Sequence, residues 1–236
     1  ATFVGHPLAD ILNQPMDKSV ARRRLGLAEA PTLALLPGSR AKEIHYLAPD
    51  FLVTARLLQS RHPHLQLVMA AANSTRWRQL HALLEQADML QIKLVTGRSQ
   101  EVMAASEAVL MASGTATLEA LLLQRPMLVC YRLSNFSYRQ LKRRLQVPYI
   151  SLPNLLAEQR LVDELLQDEV QPMLMAQRLE ALLFDAQVAT QVQDKFSGLH
   201  QQLARGADQQ AAQAVLEVMA ENRPRATSTS DADIGS

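Results

Sequence analysis

The stretch that decides the fold is "TLALLPGSRAKEI", residues 32–44. A short, mostly apolar run, 32–36, gives way to Pro37-Gly38-Ser39-Arg40, after which a charged segment of helical pattern begins. An apolar run of this length bounded by turn residues reads as a buried strand. Its tip is unusual, because a glycine, a hydroxyl and an arginine stand together where the strand ends. Gly38 permits close backbone approach, Ser39 can donate a hydrogen bond, and Arg40 offers a forked cation suited to phosphate oxygens.

Working outward, further β-rich runs fall at 65–70, 91–95, 107–112, 126–131 and 148–151. All read as near-continuous apolar runs, the pattern of strands covered on both faces. Between the first two runs Ile44, Leu47, Phe51, Ala55 and Leu58 recur at helical spacing. Residues 74–87 and 113–123 also read as helices, with Ser74 and Ser113 as expected N-caps. This alternation implies right-handed βαβ crossovers, and so an α/β fold built on a doubly wound parallel sheet. From about 160 the pattern reads as helix alone, over 160–167, 172–184, 187–204 and 207–221. The expected organisation is a junction and lead-in segment at 1–31, a nucleotide-binding domain at 32–184, C-terminal helices at 185–222 and a disordered tail at 223–236. The opening "ATFVGHPLAD" has a strand-like start with no preceding partner, as expected of a fragment that begins near a domain junction.

Composition narrows the classes. With 48% apolar residues the chain can bury a full core, and 24 basic against 23 acidic residues argue against a polyanion or nucleic-acid binder. The single cysteine, Cys130, lies in an apolar run and reads as inert core, which fits a reducing, cytoplasmic setting. No apolar run approaches a membrane span, so a soluble or peripheral protein is expected. The six histidines show no convincing ligand spacing, and no metal is expected. The phosphate loop G-x-x-x-x-G-K-[ST] and the dinucleotide motif G-x-G-x-x-G are absent, as are G-x-S-x-G and H-E-x-x-H. Charge is uneven, however: no acidic residue lies between Glu119 and Glu158, while Arg125, Arg132, Arg139, Lys142, Arg143 and Arg144 do.

In an open α/β sheet, ligands bind beyond the carboxyl ends of the strands, where strand order reverses. The tip at Gly38–Arg40 is one candidate there. A second is "MASGTATLEA", 111–120, where Ser113, Gly114 and Thr115 open a helix whose free N–H groups and positive dipole end suit a phosphate. Glu119 follows one turn beyond Thr115, where a carboxylate can accept both hydroxyls of a ribose. Each motif taken alone is more often a simple turn or cap; it is their coincidence at strand ends of one sheet that points to a ligand. In "YISLPNLLAEQRLVDELLQDE", 149–169, Asn154 reads either as an N-cap or as a further site residue.

Taken together, "FVGHPLAD", "LALLPGSRAKEI", "LMASGTATLEALL", "YISLPNLLAE" and "ADQQAAQAVLEV" run in collinear order from residue 3 to about 220. This combination resembles the C-terminal part of the bacterial lipid-A-disaccharide synthase family. The resemblance implies the donor-nucleotide half of a GT-B glycosyltransferase, a Rossmann-like half followed by C-terminal helices. The reaction it implies moves 2,3-diacylglucosamine from its UDP derivative to 2,3-diacylglucosamine 1-phosphate, giving the β-1,6-linked disaccharide and UDP without a metal or cofactor. Arg40 and the Ser113–Thr115 turn would then face the diphosphate, Glu119 the ribose, and Asn154 the donor pocket, with Gly97 and Arg98 near the uracil. The chain departs from the family after this stretch, reading Glu158-Gln159-Arg160 where a Gly-Arg pair is common.

The resemblance also assigns acceptor binding and the general base to an N-terminal half, so the catalytic base is unknown. Its implied partners are that half, the UDP-diacylglucosamine donor, the lipid acceptor and the cytoplasmic face of the inner membrane. Helices 187–221 are expected to pack on the missing half, with self-association, a homodimer included, where they do not. "NFSYRQLKRRL", 135–145, sets Phe136, Leu141 and Leu145 beside Arg139, Lys142 and Arg143, which suits an anionic lipid surface as well as it suits a solvated helix face. A UDP-sugar epimerase and a non-catalytic nucleotide-binding or membrane-docking module are the alternative readings. A second Rossmann-like half in the upstream coding sequence would exclude the last of these.

Overall fold

A computed structural model describes residues 4–13, 16–134, 138 and 148–221. Five strands stand within two residues of the positions read from sequence: β1 (Thr32–Leu36), β2 (Gln66–Ala71), β3 (Lys93–Thr96), β4 (Ala108–Ala112) and β5 (Met127–Tyr131). The sixth does not. The run at 148–151 forms no strand; its Ser151 precedes a short helix, and β6 is Asp163–Leu166, inside a segment that reads as helical. β6 pairs in parallel with β5 at the sheet edge, where its exposed side tolerates the acidic "DELL" sequence. Glu164 then reaches back to accept bonds from Ile150 N at 3.0 Å and Ser151 N at 2.8 Å, which ties the 148–151 run down as a loop. Beyond the last pair, the Gln167 side chain continues the ladder by bonding Leu133 N at 2.7 Å and Leu133 O at 3.1 Å.

All five pairings are parallel and the strand order is β3-β2-β1-β4-β5-β6, the order of a dinucleotide-binding doubly wound sheet. Along β1 and β4 successive side chains face opposite cores, as the two-residue repeat of a strand dictates. Leu33, Leu35, Leu110 and Ala112 join one core with α3 (Ala41–Arg61), α4 (Ser74–Gln86) and α8 (Pro172–Phe184). Ala34, Leu36, Val109 and Met111 join the other, with α2 (Lys18–Leu25), α5 (Ser99–Ala104), α6 (Ala116–Leu122) and α9 (Ala186–Leu203). Cys130 is fully buried in the first core, 3.6 Å from the Met175 sulfur, and burial pushes its thiol pKa far up.

Before β1, α1 (Pro7–Ile11) meets the C-terminal helices in a clasp. His6 N donates to Leu203 O at 2.9 Å, and Asp10 accepts from Gly206 N at 2.9 Å and Ala207 N at 2.7 Å. Those two amides hold the Asp10 carboxyl below its usual range. Asp10 thereby caps α10 (Ala207–Glu221), whose Val215, Leu216 and Met219 are exposed. α9, by contrast, commits Phe196, Leu199 and Leu203 to the second core. The remaining short helix, α7 (Leu152–Ala157), precedes β6.

Candidate functional site

Strand order reverses between β1 and β4, and at their carboxyl ends lies a hollow of about 480 Å³, within the range of small-ligand sites. Gly38, Ser39 and Arg40 stand in one wall, Ser113, Gly114 and Thr115 in the other, and Ala70–Ala72, Gly97 and Ser99 are among the rest of the lining. Six of the residues singled out from sequence therefore meet across one cavity, and Gly97 joins them.

The two principal walls are built differently. On the β1 side Gly38 adopts φ +121°, and a Cβ there would lie 2.5 Å from both Cβ and Oε2 of Glu43. Only glycine makes this turn. Glu43, three residues into α3, accepts from Ser39 N at 2.9 Å and Arg40 N at 3.0 Å, and its other oxygen holds Arg40 Nη1 at 3.2 Å. The Arg40 side chain is 84% exposed. On the β4 side the amides of Gly114, Thr115 and Ala116 have no hydrogen-bond partner among the described residues. They lead into α6, which begins at Ala116 rather than at the expected 113, so only Ala116 N belongs to the helix itself. Ser113 is therefore not its N-cap: its N–H donates to Cys130 O at 2.9 Å and its hydroxyl to Ile150 O at 2.7 Å. Ser74 likewise yields the capping role to Asn73, whose side chain accepts from Arg76 N at 3.0 Å.

The other candidates stand outside the lining. Glu119 lies on α6, half-buried, and the loss of solvent raises its carboxyl pKa while a hydrogen bond from Gln100 opposes the rise. Arg98 is turned away, donating to Arg24 O at 3.0 Å and to Glu101 at 2.7 Å. Asn154 is fully buried and fully engaged. Its amide nitrogen donates to Val162 O and Glu164, and its oxygen accepts from Leu161 N and Val162 N, all between 2.7 and 3.0 Å. Such an asparagine shapes the loop that Ser113 grips; it is not the cap of α7, whose N-cap position is Ser151. Arg160, after the family departure, pairs with Asp163 at 2.8 Å.

Glu43 and Ser99 are lining residues that the sequence reading did not single out. A signal for Glu43 exists, since a glutamate three residues past the N-cap position is the mark of a capping box. Burial pushes the Tyr131 phenol up, with Glu43 adding to the rise and Arg40 opposing it, so β5 ends within reach of the same charges. Among the described residues no group of three His, Cys, Asp or Glu could hold a metal ion, and no helix is long and apolar enough to cross a membrane. The cationic positions 139 and 142–144 lie outside the described residues.

Comparison with known proteins gives this geometry a lineage. The family model described as lipid-A-disaccharide synthetase matches residues 1–217. The chain is 48% identical over 217 residues to the lipid-A-disaccharide synthase of Pseudomonas entomophila (strain L48), covering 92% of this chain and 57% of that one. To the Klebsiella pneumoniae synthase it is 44% identical over 218 residues, with the same coverages of 92% and 57%. It thus spans a little over half the length of these relatives. Among solved structures it resembles WaaG, a glycosyltransferase involved in lipopolysaccharide biosynthesis, with TM-score 0.59 and 16% identity over 89% of this chain and 54% of that one. Anabaena Alr3699/HepE, solved in complex with UDP-glucose, gives TM-score 0.55 and 15% identity over 87% and 55%. At such identities the likeness is one of fold: a Rossmann-like half of the GT-B type.

Proposed function

The chain belongs to the lipid-A-disaccharide synthetase family, and from that premise we propose that it is the donor-binding half of a GT-B hexosyltransferase. The whole enzyme transfers 2,3-diacylglucosamine from its UDP derivative to 2,3-diacylglucosamine 1-phosphate, releasing UDP and the β-1,6-linked lipid A disaccharide precursor. One observation carries this reading: the hollow at the strand-order reversal sets an exposed arginine opposite a turn of three unengaged backbone amides. A departing diphosphate develops negative charge, and donors fixed in advance stabilise it without reorganising. Arg40 supplies the forked cation and the turn that Ser113 opens supplies the free amides of Gly114–Ala116, while Glu119, with Gln100, stands one helical turn away to meet the ribose.

The segment before α1 and the exposed face of α10 join this half to an N-terminal half that carries the acceptor site and the general base. The substrates bear acyl chains, so the enzyme works at the inner-membrane face. The composition of the acid-free stretch suits anionic lipid at that face; its residues 135–137 and 139–147 lie outside the described residues. A direct test compares the 236-residue chain with the same chain supplied with the N-terminal half of a relative. Calorimetry should show UDP binding to the chain alone, and mass spectrometry should find disaccharide only when both halves are present. Disaccharide formed by the chain alone would refute the division of labour; an absence of UDP binding would refute the donor site.

A further inference from the structure

At the β1 wall the two backbone donors best placed to receive an anion are engaged by the protein itself. Ser39 N and Arg40 N both point at Glu43 Oε2, at 2.9 and 3.0 Å. The turn closes tightly over that carboxylate, since even a methyl group at Gly38 would lie 2.5 Å from it. Glu43 Oε1 at the same time holds the Arg40 guanidinium at 3.2 Å, although that side chain is 84% exposed and otherwise projects from the surface. One carboxylate thus fixes the backbone of the tip and the direction of its only cation.

We infer that Glu43 is a positioning residue of the donor site: it takes the anion position at the start of α3, so that Arg40 meets the diphosphate through its guanidinium alone, held ready by the Glu43 ion pair. The inference rests on the donor-site reading above. The walls then divide the work, with backbone amides acting from Gly114–Ala116 and a side chain from Arg40. An unrestrained arginine would lose rotamer freedom on binding, whereas a held one has lost part of it already. Glu43 also repels the diphosphate, but that repulsion acts through solvent, where charges interact roughly twentyfold more weakly than in a dry interior. The same solvent weakens its pair with the exposed Arg40, so positioning acts chiefly through the contact bonds to Ser39 N and Arg40 N, which fix the backbone that carries the guanidinium.

The test is a double-mutant cycle on the full chain, with UDP and inorganic pyrophosphate as probes in calorimetry. Glu43→Ala should weaken UDP about fivefold, but less than about twofold when Arg40→Ala is already present, because contacting groups are non-additive. Pyrophosphate should follow the same pattern, since the effect lies at the phosphates. Glu43→Gln keeps an acceptor oxygen without the charge and should fall between wild type and Glu43→Ala. It carries the same cycle should Glu43→Ala fail to fold, as read from its thermal unfolding. Tighter binding of either probe by Glu43→Ala would overturn the inference, since Glu43 would then compete with phosphate for the amides. Unchanged affinity, or an equal loss with and without Arg40, would overturn it as well and leave the donor site standing. A wild-type chain that binds no UDP overturns the donor-site reading and this inference with it.

Discussion

The two ends of β1 and β4 treat charge in opposite ways. At the end where these strands begin, Glu107 accepts from Thr32 N at 2.7 Å, Lys18 Nζ at 2.7 Å and Arg22 Nη2 at 2.8 Å. Arg22, only 5% exposed, also donates to Ala105 O at 3.0 Å and to Glu29 at 2.9 Å. The charges there answer one another, although the Nε of nearby Arg125 is buried with no hydrogen-bond partner among the described residues. At the end where the same strands finish, the exposed Arg40, held by Glu43 at 3.2 Å, stands across a hollow from three amides that have no partner among the described residues. Charge density therefore does not distinguish a site from a scaffold. What distinguishes the site is the β4 side of the hollow, where consecutive backbone amides of one turn have no partner among the described residues.

That contrast breaks most visibly at Arg22. Removing Arg22 takes two charge-assisted bonds from Glu107 and leaves the Ala105 carbonyl without its side-chain donor, so Arg22→Ala should lower unfolding stability by about 2 kcal/mol or more. Urea denaturation measures this, while UDP affinity of the folded fraction should be unchanged. A small stability loss would mean that the lower network is no more structural than the upper wall. Arg40→Ala should do the reverse. Loss of a charge-assisted contact predicts UDP binding weaker by about tenfold or more. Since the side chain is exposed, unfolding should move by no more than about 0.5 kcal/mol. Unchanged UDP affinity would remove Arg40 from the site.

The finest probe is Glu119. Burial raises its carboxyl pKa above the ordinary 4.5, so protonation begins at a higher pH than for an exposed glutamate. The ribose contact proposed for Glu119 needs the carboxylate. UDP affinity should accordingly be full well above that raised value and decline as pH falls through it. Glu119→Gln should weaken UDP a few-fold, leave pyrophosphate untouched and flatten the acid decline, because one charged acceptor is lost without change of shape. Equal losses for both ligands would refute the ribose role.

Sequence made the central sheet legible because β1, β2, β4 and β5 are buried on both faces, and such strands must be apolar throughout. β6 escaped for the converse reason. As an edge strand it carries Asp163 and Glu164, and the spacing of "RLVDELLQ" fits a helix equally well. The Gly38–Arg40 and Ser113–Thr115 tips could be read only through their coincidence at the carboxyl ends of neighbouring strands, since each alone is an ordinary turn or cap. Asn154 could not, because nothing in local spacing reveals that residues 161, 162 and 164 use all its hydrogen-bonding capacity. The partnership of Glu43 with Gly38 was visible only in part: the capping spacing is local, but the contact that excludes a Cβ is three-dimensional.

The clasp at Asp10 has a mechanical consequence. It joins residues near the beginning of the described chain directly to residues 203–207. A tensile load applied between Gly5 and Gly206 would run through this short bridge and bypass β1, although β1 lies at the centre of the sheet.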